Sequence, residues 1–400
     1  MKISVVAGCS KLHLFGTIAE LNKHGYLANA YVPLGLDLSK GNPLRKIGII
    51  KRATMRFPEL QFTPKIQIVA PEIFYQAGLW LNRKSFVRIG ELLTEISHRL
   101  FSLITNFKMR NDDCDVLIIR CGFGTHIKSG KRLRVCDLSM AHPLIDNSLI
   151  SGKGLNLSEV SSIGRIARLM IEDLNRADKI IVISDFIKKT CILAGIDGDK
   201  IEVAYLPPAH ELIEISRSVS LNQSKTNKAK SVIFVGTLSF RKGIDIFLSV
   251  AKLTEEMGLD FQFTAIGSWS GVTAEFRDEF LSMPNINLIP WVSREELVEY
   301  YRHADFLLCP TRADGGARVI TEAMLFGVVV LTTTVSGSPI NSGYDGFEFD
   351  LEDQSEFMSK TIEVFEDEEI SKEVGKHARM AVITNLTFEK YLTKILAVCS

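Results

Sequence analysis

The feature that most constrains the fold of this chain is a repeated alternation of short apolar segments with segments of helical periodicity. Apolar runs such as residues 3–7 predict buried strands, and intervening segments such as residues 12–23 place apolar side chains at helical spacing. Strands that alternate with helices in this way usually pair in parallel. The sequence therefore predicts an α/β protein built from doubly wound parallel sheets.

The length of the chain and one polar stretch indicate two domains. Its 400 residues exceed what one hydrophobic core usually supports. Residues 216–230 are rich in Ser, Asn, Gln and Lys and lack periodicity, which is typical of a linker. We therefore assign residues 1–215 to an N-terminal domain and residues 231–385 to a C-terminal domain. Residues 386–400 are expected to form a helix that can pack back on the N-terminal domain.

Further elements are predicted in both halves from the same patterns. In the N-terminal half they are strands at 27–32, 115–120, 133–138, 179–183 and 201–204 and helices at 89–107, 157–176 and 185–194. In the C-terminal half the predicted strands start at Ser231, Phe261, Ile286, Asp305 and Val328.

Cysteine usage and hydropathy favour a cytoplasmic location. The seven cysteines show neither CxxC nor Cys/His metal spacing, which favours a reducing compartment. No apolar run approaches the ~20 residues of a transmembrane helix.

The formal net charge of zero hides an asymmetry along the chain. Residues 1–110 contain 16 Lys and Arg against 6 Asp and Glu, and the remainder contains 31 against 41. The basic residues gather in residues 44–56 and 83–88, interleaved with apolar side chains. Such runs are commonly solvated faces, and the alternative is contact with an anionic membrane surface at the inner leaflet. Nucleic acid is not expected, because no recognition motif accompanies the charge.

The segment 314–324 carries two carboxylates around a Gly-Gly loop that opens a predicted helix. Residues 304–310 predict a buried strand before it, and Gly327 is placed to end the helix. Backbone N–H groups at such a helix start bind anions, typically phosphate. Glu322 lies about one turn into the helix, where its carboxylate can accept hydrogen bonds from the vicinal hydroxyls of a ribose. The alternative is a helix whose acidic residues only favour its dipole.

A second loop follows the strand that opens the C-terminal half. Gly236 ends this strand, and Arg241 and Lys242 lie where the next helix begins. Open sheets bind ligands beyond the carboxyl ends of their strands, so these cations can neutralise a diphosphate. A solvent-exposed basic pair is the alternative for this loop alone.

Together these segments resemble the nucleotide-sugar-dependent glycosyltransferases of family 4, which have the GT-B architecture. Residues 236–243 are similar to the family's G-R-L-x-x-x-K-G donor-phosphate loop, and residues 314–322 to its E-x7-E motif. Residues 336–339 and 344–347 resemble the segments that follow. The likeness is specific over residues 231–350 and looser before them. It implies two Rossmann-like domains that face each other across a cleft.

The resemblance implies a retaining, metal-independent hexosyltransferase that needs no cofactor. It would transfer a sugar from a UDP- or GDP-sugar to a glycan or lipid-linked acceptor in polysaccharide or cell-envelope glycan biosynthesis. The basic bias of residues 1–110 favours an acceptor linked to polyprenyl diphosphate at the inner leaflet. Catalytic roles are expected for His142, Lys242 and Asp314. The predicted donor-binding residues are Gly236, Arg241, Lys242, Gly267, Asp314, Gly315, Gly316, Ala317, Arg318 and Glu322.

Two positions depart from the family pattern. Thr237 stands where the family has arginine, which removes one expected diphosphate contact that Arg241 could supply instead. Asp314 stands where the family has glutamate, one methylene longer. Because sugar–phosphate cleavage leaves an anionic nucleotide, we expect catalysis to stabilise the departing charge through Lys242, Arg241 and amides near residues 316–318. Two Asp-x-Asp runs, at 113–115 and 197–199, are interpreted as turn chemistry rather than metal ligands.

The N-terminal half is expected to bind the acceptor. Gly8 and Ser10 follow the first strand in a loop that faces the crevice, with His13 nearby, and His126 is a further candidate. His142, at the end of a strand, resembles a family histidine that hydrogen-bonds the donor sugar. Ordinary loop chemistry before a proline is the alternative for His142.

Two other classes of function fit the same scaffold. One is a GT-B sugar-nucleotide epimerase, which would need acid and base residues on both sides of the sugar. The other is a non-catalytic phospho-ligand-binding protein, in which Thr237 reflects lost activity.

Overall fold

The computed structural model describes residues 1–9, 13–33, 63, 65–84, 86–150, 155–159, 163–218 and 229–400. These residues form two α/β domains, each built on a parallel sheet with helices on both faces. The prediction of two doubly wound parallel sheets is confirmed. Ser10, the basic segment 44–56 and most of the predicted linker lie outside the described residues.

The N-terminal sheet has seven strands. They are β1 (Ile3–Val6), β2 (Leu27–Val32), β3 (Lys65–Gln67), β4 (Val116–Arg120), β5 (Leu133–Leu138), β6 (Lys179–Val182) and β7 (Ile201–Val203). Their spatial order is β3-β2-β1-β4-β5-β6-β7. The helices of this half are α1 (Leu14–Lys23), α2 (Ala70–Arg83), α3 (Val87–Lys108), α4 (Pro143–Ile150), α5 (Arg165–Asn175), α6 (Asp185–Leu193) and α7 (His210–Ser218).

The C-terminal sheet has six strands. They are β8 (Lys230–Val235), β9 (Phe261–Ile266), β10 (Ile286–Ile289), β11 (Phe306–Cys309), β12 (Val329–Thr333) and β13 (Phe347–Phe349), in the order β10-β9-β8-β11-β12-β13. The helices are α8 (Ile244–Glu256), α9 (Ala274–Ser282), α10 (Arg294–His303), α11 (Arg318–Leu325), α12 (Gln354–Glu366), α13 (Glu368–Asn385) and α14 (Phe388–Cys399).

Continuous apolar strands explain why both sheets are central. In β1, β11 and β12 every residue is buried, as expected for parallel strands that are covered on both faces. Because β8 lies between β9 and β11, the loops that follow β8 and β11 emerge side by side at one edge of the sheet.

The domain boundary differs from the predicted one. Helix α7, which we assigned to the N-terminal domain and the linker, packs against the C-terminal domain: Leu212 is buried in the same cluster as Ile320 and Met324. The guanidinium of Arg379 also donates to the carbonyl oxygen of Ser216 at 2.8 Å. Helix α7 was not predicted because most of its residues are polar and only one face is apolar.

Two helices also differ from the sequence prediction. The helix predicted at 157–176 spans only Arg165–Asn175, because Gly164 is extended and precedes its first turn. Helix α2 was not predicted, and it begins with proline near its first position, a common start signal.

The C-terminal helix packs on the N-terminal domain. Tyr391, Leu392 and Ile395 join the core formed by β1 and α1, and the hydroxyls of Thr17 and Tyr391 lie 2.7 Å apart. The chain therefore crosses between the domains twice. Within the described ranges, no helix combines the length and hydropathy needed to cross a membrane.

Candidate functional site

The two predicted donor loops lie against each other at the carboxyl edge of the C-terminal sheet. Gly243 has φ +78°, and a Cβ there would lie 2.0 Å from the carbonyl oxygen of Pro310, so only glycine permits this approach. The amide of Arg312 donates to the carbonyl oxygen of Arg241 at 2.8 Å. The Lys-Gly pair of the sequence motif thus holds the loop after β8 against the loop after β11.

Lys242 and Asp314 form an ion pair across these loops. The Lys242 Nζ contacts Oδ2 of Asp314, and the side chains are 20% and 18% exposed. The other carboxylate oxygen of Asp314 accepts the amide of Gly315 at 2.9 Å. The guanidinium of Arg241 donates to the carbonyl oxygen of Ala313 at 2.5 Å. Two cations therefore lie next to the glycine pair, where ligand phosphates would meet them.

At the start of α11, some backbone amides already donate hydrogen bonds within the protein and others do not. The amide of Ala317 donates to the carbonyl oxygen of Ser336 at 3.3 Å, and that of Gly315 is held by Asp314. Over the described part of the chain, the amides of Gly316 and Arg318 have no such partner. The exposed Arg318 side chain adds a cation at this helix start. An anion would meet two amides here rather than the whole 316–318 run.

Glu322 lies one turn further along α11 in an apolar environment. Burial raises the pKa of its carboxyl, whereas the charge of Arg318 and the hydroxyl of Tyr301 favour the ionised form. The Tyr301 hydroxyl donates to Oε2 at 3.2 Å, and its ring stacks on Phe326 at 5.9 Å between centroids. One carboxylate oxygen is thus held in place by Tyr301.

The N-terminal domain closes directly over the glycine pair. The Ser184 hydroxyl donates to the carbonyl oxygen of Gly315 at 2.7 Å. A Cβ at Gly315 would lie 2.4 Å from the carbonyl oxygen of Ser139, so the strand ends of β5 and β6 touch this loop. Asp146 on α4 lies close enough that the charges of Arg241 and Asp314 act on it, and burial raises the pKa of its carboxyl. The site is therefore shared between the domains.

His142 follows the end of β5 and is 3% exposed. Its amide donates to the Thr190 hydroxyl at 2.9 Å, and its ring Nδ1 accepts the amide of Leu144 at 3.3 Å. Burial lowers the pKa of His142 to about 4, so the ring is neutral near pH 7. A neutral ring that accepts at Nδ1 carries its proton on Nε2, which can then only donate.

A second buried pair lies in the N-terminal domain. Nε2 of His13, the residue before α1, is 2.9 Å from Oδ2 of Asp137 on β5, and the side chains are 5% and 2% exposed. Oδ1 of Asp137 is buried and, in the part of the chain that the structure describes, has no hydrogen-bond partner. Gly8 follows β1 and lies against the ring of Phe123. Arg120, at the end of β4, contributes a positive charge near Asp137.

Other predicted residues lie further from the ion pair or serve the backbone. Gly236 and Gly267 end the neighbouring strands β8 and β9, and the amide of Gly236 donates to the carbonyl oxygen of Ile266 at 2.9 Å. Thr237 is exposed. The loop of His126 is fixed to α3, because its amide donates to the hydroxyl of Ser102 at 2.7 Å.

Among the described residues, no group of three or more His, Cys, Asp or Glu side chains could hold a metal ion. In one Asp-x-Asp run, the carboxylate of Asp197 accepts the amide of Asp199 at 3.0 Å, which is turn chemistry.

Sequence analysis missed several residues of this site. Asp137, Asp146 and Tyr301 carry no motif, and only the fold brings them to the strand ends. Ser184 lies in a segment whose strand was predicted, but its hydrogen bond spans 131 residues along the chain. A polar residue directly after a buried strand is the one local signal that could have indicated Ser184.

Comparison with protein families covers the region of both donor loops. Residues 218–381 match the family model described as glycosyl transferases group 1. An uncharacterized 41.2 kDa protein in the cps region of Klebsiella pneumoniae is 30% identical over 195 residues, which are 48% of this chain and 52% of that protein. The capsular polysaccharide biosynthesis glycosyltransferase CapM of Staphylococcus aureus is 26% identical over 154 residues, 37% of this chain and 40% of CapM. The chain thus spans about half or less of the length of these curated relatives.

Comparison with solved structures covers the whole chain. The structure of TarM from S. aureus, in complex with fondaparinux, alpha-GlcNAc-glycerol and UDP, aligns with a TM-score of 0.65 and 12% identity over 100% of both chains. This likeness, together with the two parallel sheets, shows that the chain has the two-domain GT-B fold.

Proposed function

We propose that this protein is a glycosyltransferase that moves a sugar from a nucleotide-diphosphate sugar to a glycan or lipid-linked acceptor in surface polysaccharide biosynthesis. The observation that carries the proposal is the Lys242–Asp314 pair, which lies beside the start of α11 under the edge of the N-terminal domain. The family match over residues 218–381 and the capsular role in the name of CapM support the reaction class and the pathway class. UDP in the TarM complex supports UDP as the nucleotide.

The donor would bind across α11 and the loop after β8. The diphosphate would take Lys242 away from Asp314 and meet Arg241 and the amides of Gly316 and Arg318. Asp314, once released, would accept a hydroxyl of the donor sugar. The carboxylate of Glu322, held by Tyr301, would accept the ribose hydroxyls.

The chemical step would then depend on charge stabilisation. Cleavage of the bond between the sugar and the diphosphate leaves negative charge on the phosphate oxygens. Arg241 is fixed by a backbone carbonyl before donor binds, whereas Lys242 exchanges the carboxylate of Asp314 for the diphosphate on binding. Both cations are then in place when the negative charge develops. His142 can only donate from Nε2, which suits a hydrogen bond to a sugar hydroxyl and not proton abstraction.

We further propose hexosyl transfer with retention and without a metal. Retention places the acceptor hydroxyl on the face of the departing phosphate, whose oxygen then accepts the proton. Inversion in the product would contradict this and would require a protein base. His13, oriented by the buried carboxylate of Asp137, is the candidate for that role.

The acceptor is proposed to be carried by a polyprenyl diphosphate at the inner leaflet, with the donor site facing the cytosol. The basic bias of residues 1–110 supports this choice, because basic segments are attracted to anionic lipid. A soluble acceptor would not require the bias.

A thermal-shift screen against UDP-, GDP-, ADP- and CDP-sugars tests the donor. We expect one nucleotide class to stabilise the protein, and nucleotide release on addition of a lipid-linked glycan extract. Interconversion of the donor sugar without acceptor would identify an epimerase, and binding without turnover would identify a non-catalytic protein. Either result would overturn the proposal.

A further inference from the structure

Helices α2 and α3 form a hairpin that projects beyond the N-terminal sheet on the side of the cleft. Nδ1 of His98 lies 2.9 Å from the carbonyl oxygen of Gly122, just past the carboxyl end of β4, so the middle of α3 lies at that edge of the sheet. The hydroxyl of Ser97 donates to the carbonyl oxygen of Pro71 at 2.8 Å, which places the start of α2 at the same level. The 11 helical steps from His98 back to Val87 therefore rise about 16 Å above the carboxyl edge.

The seam between the two helices is made of small residues. A Cβ at Gly78 would lie 2.7 Å from the carbonyl oxygen of Gly90, and a Cβ at Gly90 would lie 2.7 Å from that of Gly78. Thr94 is buried in the same seam. Because the backbones approach this closely, the large apolar side chains of the hairpin have no room between the helices and lie outside.

The outer surface at the end of the hairpin, here called the hairpin tip, is apolar and cationic. Its members are all exposed: Trp80, Lys84, Phe86, Val87, Arg88, Ile89 and Leu92. Trp80, Phe86 and Ile89 are 59%, 58% and 53% exposed. A cluster of this kind is unusual on the surface of a monomer and marks an interaction site.

The charges of the hairpin favour one kind of partner. The hairpin carries three glutamates: Glu72 is buried beside Gln76, Glu95 is paired with Arg99 and Arg165, and Glu91 is half-buried near the end of the hairpin. Neither Lys84 nor Arg88 has a carboxylate partner within the described ranges. Exposed aromatic and aliphatic side chains beside free cations are the composition of a surface that enters the headgroup region of an anionic bilayer.

We propose that the hairpin tip docks on an anionic lipid membrane. Its shape suits this partner, because a projecting helix end can insert into a headgroup layer, whereas a protein partner is usually met by a groove or a flat face. The position of the hairpin tip also favours membrane docking, and this argument rests on the proposed function. A tip about 16 Å above the cleft edge of the acceptor domain would hold that edge next to the lipid surface, where a lipid-linked acceptor is found.

The test is flotation with vesicles of phosphatidylcholine alone or with about one third phosphatidylglycerol, in low and high salt. We expect binding to the anionic vesicles that weakens with salt. The triple variant Trp80→Ser, Phe86→Ser, Ile89→Ser should bind at least tenfold more weakly, with an unchanged melting temperature because all three side chains are exposed. The matched control is Met257→Ser, Leu281→Ser, Met380→Ser, which removes three exposed apolar side chains from the C-terminal half and should bind like wild type.

Fluorescence places the tip in the membrane directly. With Trp269 and Trp291 replaced by Phe, Trp80 is the only tryptophan left of the three. Its emission should shift to the blue on anionic vesicles and be quenched by brominated lipid. A Lys84→Glu, Arg88→Glu variant should lose the preference for phosphatidylglycerol.

Several results would overturn this inference. One is that the triple variant floats with anionic vesicles as well as wild type does. Another is that the emission of Trp80 does not change when vesicles are added. A third is that wild type sediments as a dimer whereas the triple variant sediments as a monomer. Failure of the proposed function is seen separately, because the nucleotide-sugar thermal shift is measured without lipid. If the protein binds vesicles but no nucleotide-sugar raises its melting temperature, the membrane-docking proposal is supported and the proposed transferase function is contradicted.

Discussion

The two edges that meet at the domain boundary are built in opposite ways. On the C-terminal edge, the functional side chains are partly exposed and charged, and Lys242 and Asp314 neutralise each other. On the N-terminal edge they are buried: His142 is neutral, and His13 pairs with Asp137 away from solvent. A charged edge can exchange its internal ion pair for a diphosphate, whereas a desolvated edge offers directional hydrogen bonds. Mutations on the first should change donor chemistry, and mutations on the second should change positioning and pH behaviour.

Lys242→Ala should give the largest effect. It removes a preorganised cation and leaves Asp314 to repel the diphosphate, so we expect turnover to fall by about 100-fold to 1,000-fold. Nucleotide release in the presence of acceptor measures this. Lys252→Ala is the control, since Lys252 pairs with Glu279 on the surface of α8. A loss of less than about twofold would show that the charged edge does not hold the phosphates.

Glu322→Gln should weaken donor binding while it stabilises the folded protein. An amide can accept at only one of the two positions, so we expect donor affinity to fall about tenfold, or ~1.4 kcal/mol. Burial raises the pKa of Glu322 in the folded protein, so the folded state holds its proton to higher pH than the unfolded chain. The free energy of unfolding therefore falls as pH rises through that window.

The same variant should consequently melt at a higher temperature than wild type at pH 7, and the difference should shrink at low pH. Calorimetry with and without donor measures both effects. Glu366→Gln, an exposed position at the end of α12, is the control. Unchanged donor affinity would remove Glu322 from the donor site.

Arg241→Ala tests whether Arg241 takes the role of the arginine that the family pattern has at position 237, where this chain has threonine. We expect a loss of several-fold in turnover, smaller than for Lys242, because the exposed guanidinium is partly screened by solvent. Adding Thr237→Arg to the variant should restore most of the activity. Arg302→Ala, whose side chain pairs with Glu299, serves as the control. A silent Arg241→Ala would mean that the diphosphate is held otherwise.

His142→Asn should show the smallest effect on the free energy of unfolding, and one confined to acid pH. Because burial lowers its pKa to about 4, the unfolded chain binds this proton first as pH falls below about 6.5. Stability is then lost between about pH 6.5 and pH 4, by on the order of 3 kcal/mol at most. His142→Asn should flatten this dependence in denaturant titrations, and His303→Asn, on the exposed surface, should not. An inflection in turnover near neutral pH that disappears with His142→Asn would contradict a neutral ring.

The two loops predicted to bind the donor could be recognised in the sequence because their close contacts require glycine at particular positions. Gly243 and Gly315 stand where a Cβ would lie 2.0 Å and 2.4 Å from a backbone carbonyl oxygen of another segment, so no other residue fits there. Strands and helices around them are strongly periodic, so the parallel sheets were predicted. The polar helix α7 and the short strand β3 were not predicted, because each has too few apolar residues to show a periodic pattern of hydrophobicity.

What the sequence alone determined is the doubly wound α/β class and the position of the two glycine-containing loops, with the cations and carboxylates that they carry. These follow from neighbouring residues and from apolar periodicity. Only the tertiary structure decided that Lys242 pairs with Asp314, that Tyr301 holds Glu322, and that Ser184 closes the other domain over Gly315. It also decided that the side chains of the hairpin tip are exposed. Such contacts join residues far apart in the chain, and their geometry depends on how whole layers pack, which no local pattern encodes.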